Sequence, residues 1–131
     1  MALRYEWRGP FANGELNELH AEAFEHRVLE DDWIAQLDRY SLGWVCVRDG
    51  EVLVGFVNIP WDGGVHAFVM DTIVAVRARR QGIATRMVAM AVEHARAAGC
   101  EWLHVDFEDE LAPFYVRACG FRPTPAGLVQ L

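Results

Sequence analysis

Lysine is missing from this chain. All twelve basic side chains among its 131 residues are arginine, which removes any lysine nucleophile or Schiff base. Cysteine is scarce: Cys46, Cys100 and Cys119 are an odd count at spacings that fit no zinc or haem pattern. Each sits among apolar neighbours, so all three are expected as reduced core thiols. Basic charge is outnumbered, 12 residues against 19 acidic ones for a net of −7, which disfavours a nucleic-acid partner. No uninterrupted apolar run reaches the ~20 residues of a membrane-spanning helix, so no membrane partner is expected. The opening MALRYEWRGP has no apolar stretch followed by a small-residue cleavage site. The expected setting is therefore cytoplasmic. Neither G-x-x-x-x-G-K-[ST] nor G-x-G-x-x-G occurs, which makes ATP and NAD poor choices of ligand.

What is present suits one globular domain over residues 1–131. Hydrophobic residues make up 53% of the chain, enough to bury a core. Residues 3–7 alternate weakly, as an edge strand would, before Gly9-Pro10 breaks the chain. Asn13 reads as a helix N-cap, with Leu16, Leu19, Ala23 and Phe24 as the apolar stripe of the helix behind it. Trp33, Ile34 and Leu37 suggest a second, shorter helix. The runs at 44–47 and 52–57 flank Asp49-Gly50 and read as an antiparallel hairpin. Residues 65–76 are almost continuously β-prone and predict a central strand buried on both faces. A helix from Gly82 to Gly99 carries Ile83, Met87, Val88, Ala91, Val92 and Ala95 on one stripe. A strand at 102–105 follows, so strand, helix and strand form a βαβ unit with two parallel strands. A short helix over 110–119 closes at Gly120-Phe121, and 123–131 leaves room for one more strand or hairpin. The fold class is α/β with a mixed sheet.

Charge is informative by position. Between Glu15 and Asp38 there are eight acids and one base, Arg27, whereas Arg77, Arg79, Arg80 and Arg86 fall within ten residues that hold no acid. The second segment should attract anions and the first repel them. It also leads a buried strand through Gly82 into a helix, whose free N-terminal amides and dipole favour a phosphate.

Arg79-Arg80-Gln81-Gly82-Ile83-Ala84 after Val74-Ala75-Val76 resembles the coenzyme A signature R/Q-x-x-G-x-G/A of the GCN5-related N-acetyltransferase (GNAT) family. The strand order, the helix behind the motif, and Phe114-Tyr115 followed by Gly120-Phe121 resemble that family too, over the whole chain. The resemblance implies the GNAT fold, with acetyl-CoA held where two parallel strands splay apart, here 65–76 and 102–107. It implies that backbone groups of Val74 and Val76 pair with the pantetheine amides. Amides from Arg79, Arg80, Gln81, Gly82, Ala84 and Thr85 would hold the pyrophosphate. Tyr115 falls where relatives often have a tyrosine that protonates the departing thiolate. The family spacing is Tyr-x-x-x-Gly-Phe, but here four residues separate Tyr115 from Gly120. Two readings of Tyr115 therefore stay open, a general acid or a packing aromatic turned off the thiol.

An attacking amine must lose a proton, so a carboxylate or histidine is needed near the splay. Glu108 and Asp71 rank ahead of Asp106 and His66, and the choice among them stays open. His104, Asp106 and Glu108 alternate along the second strand and share a face if it is regular. His66 and Asp71 face opposite sides unless a β-bulge intervenes. The acceptor, entering beneath the first two helices, would meet the acids of 15–38 with Trp33 and Trp61. That composition suits a small cationic amine or a peptide amino group. Two other functions compete: a non-catalytic acyl-CoA-binding or regulatory module, and a metal enzyme using His66, His104 and Asp106. The favoured reading is an acetyl-CoA-dependent N-acetyltransferase acting by direct attack in a ternary complex, with no resident metal. Monomer and homodimer are both open.

Overall fold

Strands rich in β-branched and aromatic residues bury both faces only if helices cover each side, and this chain supplies them. A computed structural model describes residues 2–131. The elements run β1 (Leu3–Trp7), α1 (Asn13–Phe24), α2 (Trp33–Tyr40), β2 (Ser41–Asp49), β3 (Val52–Pro60), β4 (His66–Phe68), β5 (Met70–Val74), α3 (Ile83–Ala97) and β6 (Trp102–His104). A 3-10 turn at Val76–Ala78 joins β5 to α3, and a π-helix at Pro113–Ala118 follows β6. The antiparallel sheet has the order β1-β2-β3-β5, and β4 pairs with β6 in parallel.

Cross-strand partners share a face. Val47, Gly55 and Val74 are aligned, as are Cys46, Phe56 and Ile73. Gly55 faces α3: a Cβ there would come within 3.2 Å of Ile83 Cγ2. Phe56 points the other way, its ring 5.9 Å from Phe11 and 6.4 Å from Trp33 at the start of α2. The sheet is thus the middle of three layers, with Ile83, Met87 and Ala91 under one face and Leu16, Leu19 and Leu37 over the other. Full burial of a side chain such as Phe56, Ile73 or Ile83 stabilises by about 1.5–3 kcal/mol each. Burial pushes the Cys46 thiol up to about 12, which leaves it a protonated, apolar core group. Arg48, also buried, meets the Glu15 carboxylate with both terminal nitrogens and donates to the carbonyls of Pro10 and Glu51. This pins α1 to the sheet and holds the Glu15 carboxyl below its ordinary value.

β1, the hairpin and the long helix match the sequence expectation, and several details do not. Ala12 is the cap of α1, its amide taken by Glu15 Oε1 at 3.0 Å, and Asn13 instead accepts from Ile34 N in the first turn of α2. Phe24 and Ile34 lie on the solvent side of their helices, and Val92 is half-buried. Cys100 and Cys119 are only partly buried, so Cys46 alone is a core thiol. The expected strand over 65–76 is two strands in two sheets. Asp71 takes φ 54° in the left-handed region, opposite a register shift between Phe56 and Asn58. The chain leaves β6 for β3 at Val69, and the bulge follows within β5; Val65, Phe68, Met70 and Val76 are exposed. The second parallel strand ends at His104, short of Phe107. Residues 122–131 form no strand; Pro123 and Pro125 have no amide hydrogens to give a sheet edge.

Candidate active site

The bulge sets up the site. Val69 donates to the His104 carbonyl at 2.8 Å; beyond it β5 pairs only with β3 and β6 only with β4. The gap between them opens into a cavity of about 420 Å³. Alternation along β5 sends Thr72 and Val74 toward this cavity and Asp71 and Ile73 toward α1.

The cavity floor is the turn into α3. Val74, Arg79, Arg80, Gly82, Ala84 and Thr85 line it, while Val76 and Gln81 do not. The strand stops at Val74, and Val76 opens a 3-10 turn with its amide given to Glu22 Oε1 at 3.2 Å. Gln81 folds back, its amide nitrogen on the Ala78 carbonyl. Arg80 (φ 66°) and Gly82 (φ 77°) are both left-handed. α3 starts on Gly82 with no side-chain cap, and its first helical bond is Arg86 N to Gly82 O. The amides of its first turn are therefore left for an outside acceptor, and a Cβ on Gly82 would meet nothing within 4 Å. These features fit the pyrophosphate of a coenzyme. Three of the four clustered arginines have partners within the chain: Arg77 pairs with Asp49 at 3.1 Å, the Arg86 guanidinium lies 4.1 Å over the Tyr5 ring, and Arg79 Nε donates to the Val74 carbonyl at 3.0 Å.

The opposite wall is Leu111, Phe114 and Tyr115. Tyr115 is buried with its hydroxyl 3.2 Å from Thr72 Oγ1, and its ring is stacked on Phe107 and met edge-on by Phe114 and Phe121. Burial raises its phenol above the ordinary value, with the Thr72 hydrogen bond acting against it. It stays a proton donor through neutral pH. The extra residue before Gly120 is absorbed by the π-helix. Cys119 N bonds Phe114 O five residues back, and Phe121 N bonds Tyr115 O six back. In an α-helix closed by a left-handed glycine the corresponding bond spans five. The wider turn thus keeps the Phe121–Tyr115 closure despite the longer spacing.

Of the proton acceptors named from sequence, Asp71 faces α1, where its carboxylate is 3.5 Å from His20 Nε2. Glu108 is exposed and does not cap the 3-10 turn it precedes. His66 and His104 meet each other at 2.7 Å on the β4–β6 pair without Asp106. Among the described residues no three or more His, Cys, Asp or Glu side chains are placed to hold a metal ion. The acidic segment has structural duties: Glu15 holds Arg48, Glu22 holds Val76, and Asp32 caps α2. Trp33 is buried with its indole on Asn17 Oδ1, and Trp61 donates to Gly64 O. Sequence reasoning missed Thr72, His20 and His26. His20 is four residues past Leu16, on the inward stripe, which was the available signal.

The profile described as the Acetyltransferase (GNAT) family matches residues 4–121. The chain is similar to mycothiol acetyltransferase of Mycobacterium ulcerans (strain Agy99), 27% identical over 132 residues, covering 100% of this chain and 35% of that protein. It is similar to glucosamine 6-phosphate N-acetyltransferase 1 of Oryza sativa subsp. japonica, 42% identical over 53 residues, 40% of this chain and 32% of the other. The chain spans about a third of the length of these curated relatives. A GNAT family acetyltransferase structure from Streptococcus pneumoniae TIGR4 superposes with TM-score 0.80 at 20% identity, covering 99% of this chain and 98% of that one. With the family profile spanning nearly the whole sequence and the fold shared end to end, the chain belongs to the GNAT acetyltransferase family.

Proposed function

We propose that this domain transfers the acetyl group of acetyl-CoA to a primary amine by direct attack in a ternary complex. One observation carries the reading: the unpaired amides at the start of α3 and the buried Tyr115 hydroxyl lie on the same cavity. Acetyl-CoA supplies an acyl thioester, a carbonyl open to attack by an amine. The α3 amides with Arg79 and Arg80 hold its phosphates, and the edge of β5 at Val74 aligns its pantetheine arm. Thr72 orients the Tyr115 hydroxyl, which keeps its proton at the oxygen until a thiolate needs it. Asp71, on the opposite face of β5, and Glu108 are the two candidates for the base.

The acceptor is a small cationic molecule or a peptide amine. Its support is the set of acids between residues 15 and 38 whose side chains have no hydrogen-bond or ion-pair partner among the described residues, Glu18, Glu25, Glu30, Asp31 and Asp38, all exposed. A cytoplasmic setting, where the thioester is supplied, suits the reaction. The test is release of free thiol from acetyl-CoA across a panel holding spermidine, neamine, glucosamine 6-phosphate, a peptide with a free amino terminus, and neutral alcohols. Turnover on the cationic amines is expected. Turnover confined to neutral or anionic acceptors would overturn the acceptor class, and thiol release that no amine accelerates would overturn the transferase reading.

A further inference from the structure

Two histidines stand end to end behind Asp71. His20 Nε2 is 3.5 Å from Asp71 Oδ1, His20 Nδ1 is 2.7 Å from His26 Nε2, and His26 Nδ1 is 2.6 Å from the Arg27 carbonyl oxygen. We propose that Asp71, His20 and His26 form a proton relay that carries the acceptor amine's proton from the reacting centre to solvent. The proposal rests on the acetyl-transfer reading and adds residues to it.

Hydrogen-bond chemistry dictates the direction. A carbonyl only accepts, so His26 Nδ1 carries a hydrogen and, in the neutral ring, His26 Nε2 is a lone pair. With both rings neutral, two hydrogens must serve three contacts. Either His20 Nε2 faces the Asp71 carboxylate without a hydrogen, or His20 Nδ1 faces His26 Nε2 without one. A third proton resolves both, since His20 then donates to Asp71 and to His26 at once. The hydrogen-bond geometry thus has room for one further proton, with the Asp71 carboxylate at the inner end and the half-buried His26 ring at the outer end.

The backbone is bent to make this contact. Glu25 ends α1 in the left-handed region at φ 54°, with His26 N bonded to Ala21 O, which folds His26 back over His20. Asp71, at φ 54°, is bent likewise. Left-handed geometry is costly for residues other than glycine, and two of the four such residues in the described chain place members of this relay. The other groups against His20 are rings, Phe24 of α1 at 4.6 Å and Trp33 of α2 at 5.4 Å. Asp71 and His26 are thus its titratable neighbours in these contacts. An ammonium acceptor loses two protons as its N–C bond forms and the thioester C–S bond breaks. One ends on the departing sulfur by way of Tyr115; the other passes to Asp71, His20 and His26, and the half-buried His26 ring gives it up to water, since the Arg27 carbonyl cannot take it. His20 and His26 act through Asp71 and are positioning residues.

Two measurements test it. Nitrogen NMR of the wild-type imidazoles should show His26 with its hydrogen on Nδ1 and a coupling across the His20 Nδ1–His26 Nε2 hydrogen bond. A His26 ring with its hydrogen on Nε2 and no coupling would overturn the relay, whatever the protein transfers. For the second, His20→Gln is assayed on whichever panel amine the wild type acetylates fastest. A fall in kcat/KM of about ten-fold or more is expected, with loss of the wild-type rise with pH and unchanged acetyl-CoA affinity by calorimetry. A pH profile that overlays the wild type would refute it. Absence of acetyl-CoA binding in the wild type would instead sink the transferase reading and the relay's proton source with it, an outcome distinct from the NMR result, which decides the hydrogen-bonded histidine pair.

Discussion

The two faces of β5 are built from different materials. On the Thr72 and Val74 side the candidate site is mostly backbone, a strand edge and the uncapped start of α3, with the buried Tyr115 on the opposite wall. On the Asp71 side it is a run of side chains drawn from residues 20, 26 and 71. A backbone site tolerates changes of side chain that keep its φ values and its charge. A side-chain relay fails at any single link. The same strand serves both because alternation sends successive residues to opposite faces, and the bulge at Asp71 fixes which residue goes where.

Substitutions on each side sharpen that contrast. Gly82→Glu should have the largest effect, because it forces a side chain into φ 77° and sets a carboxylate at the helix start. Acetyl-CoA affinity should fall at least about a hundred-fold, about 2.7 kcal/mol, by calorimetry, while circular dichroism stays native. Tyr115→Phe should lower kcat/KM about a hundred-fold and leave acetyl-CoA affinity unchanged. Equal loss of affinity would mean that the ring, rather than the hydroxyl, matters.

Glu15→Gln tests the anchoring of α1, the helix that carries His20. Urea denaturation at pH 7 should show a loss of roughly 2 kcal/mol. Because the hydrogen bond with Arg48 holds the Glu15 carboxyl below the ordinary carboxylate range, this contribution is full above that range. It disappears as pH falls through the lowered folded value. Mutant and wild type should converge in acid, and a constant difference would show that the Arg48 pair is not its source. The smallest effect is expected for Glu25→Gly, which relieves the left-handed strain before His26. Stability should rise by about 1 kcal/mol, and a loss would mean that the Glu25 side chain does something beyond closing the helix.

The same division explains what could be read from sequence. The α3 turn was legible because a backbone site is written in consecutive residues, 79–85, and its glycine has a conformational reason. Tyr115 was legible in identity but ambiguous in direction, since nothing in Val116 to Cys119 announces that an extra residue will be taken up as a π-turn. The strand over 65–76 was legible as β but not as two strands, because the change of partner falls on Val69, a β-prone residue that marks no break. The relay was not legible: His20 and His26 are six apart, a spacing that belongs to no helix face, and they meet only because Glu25 reverses the chain. Acids of α1 and α2 invited a functional reading because composition cannot separate those with partners, Glu15, Glu22 and Asp32, from those without.

Calorimetric titration of the purified protein with acetyl-CoA, with ATP as a control, tests the central claim most directly. Saturable binding at one site, with ATP inert and the signal lost in Gly82→Glu, is the predicted result. No heat of binding at millimolar acetyl-CoA would contradict it, leaving the turn into α3 a purely structural feature.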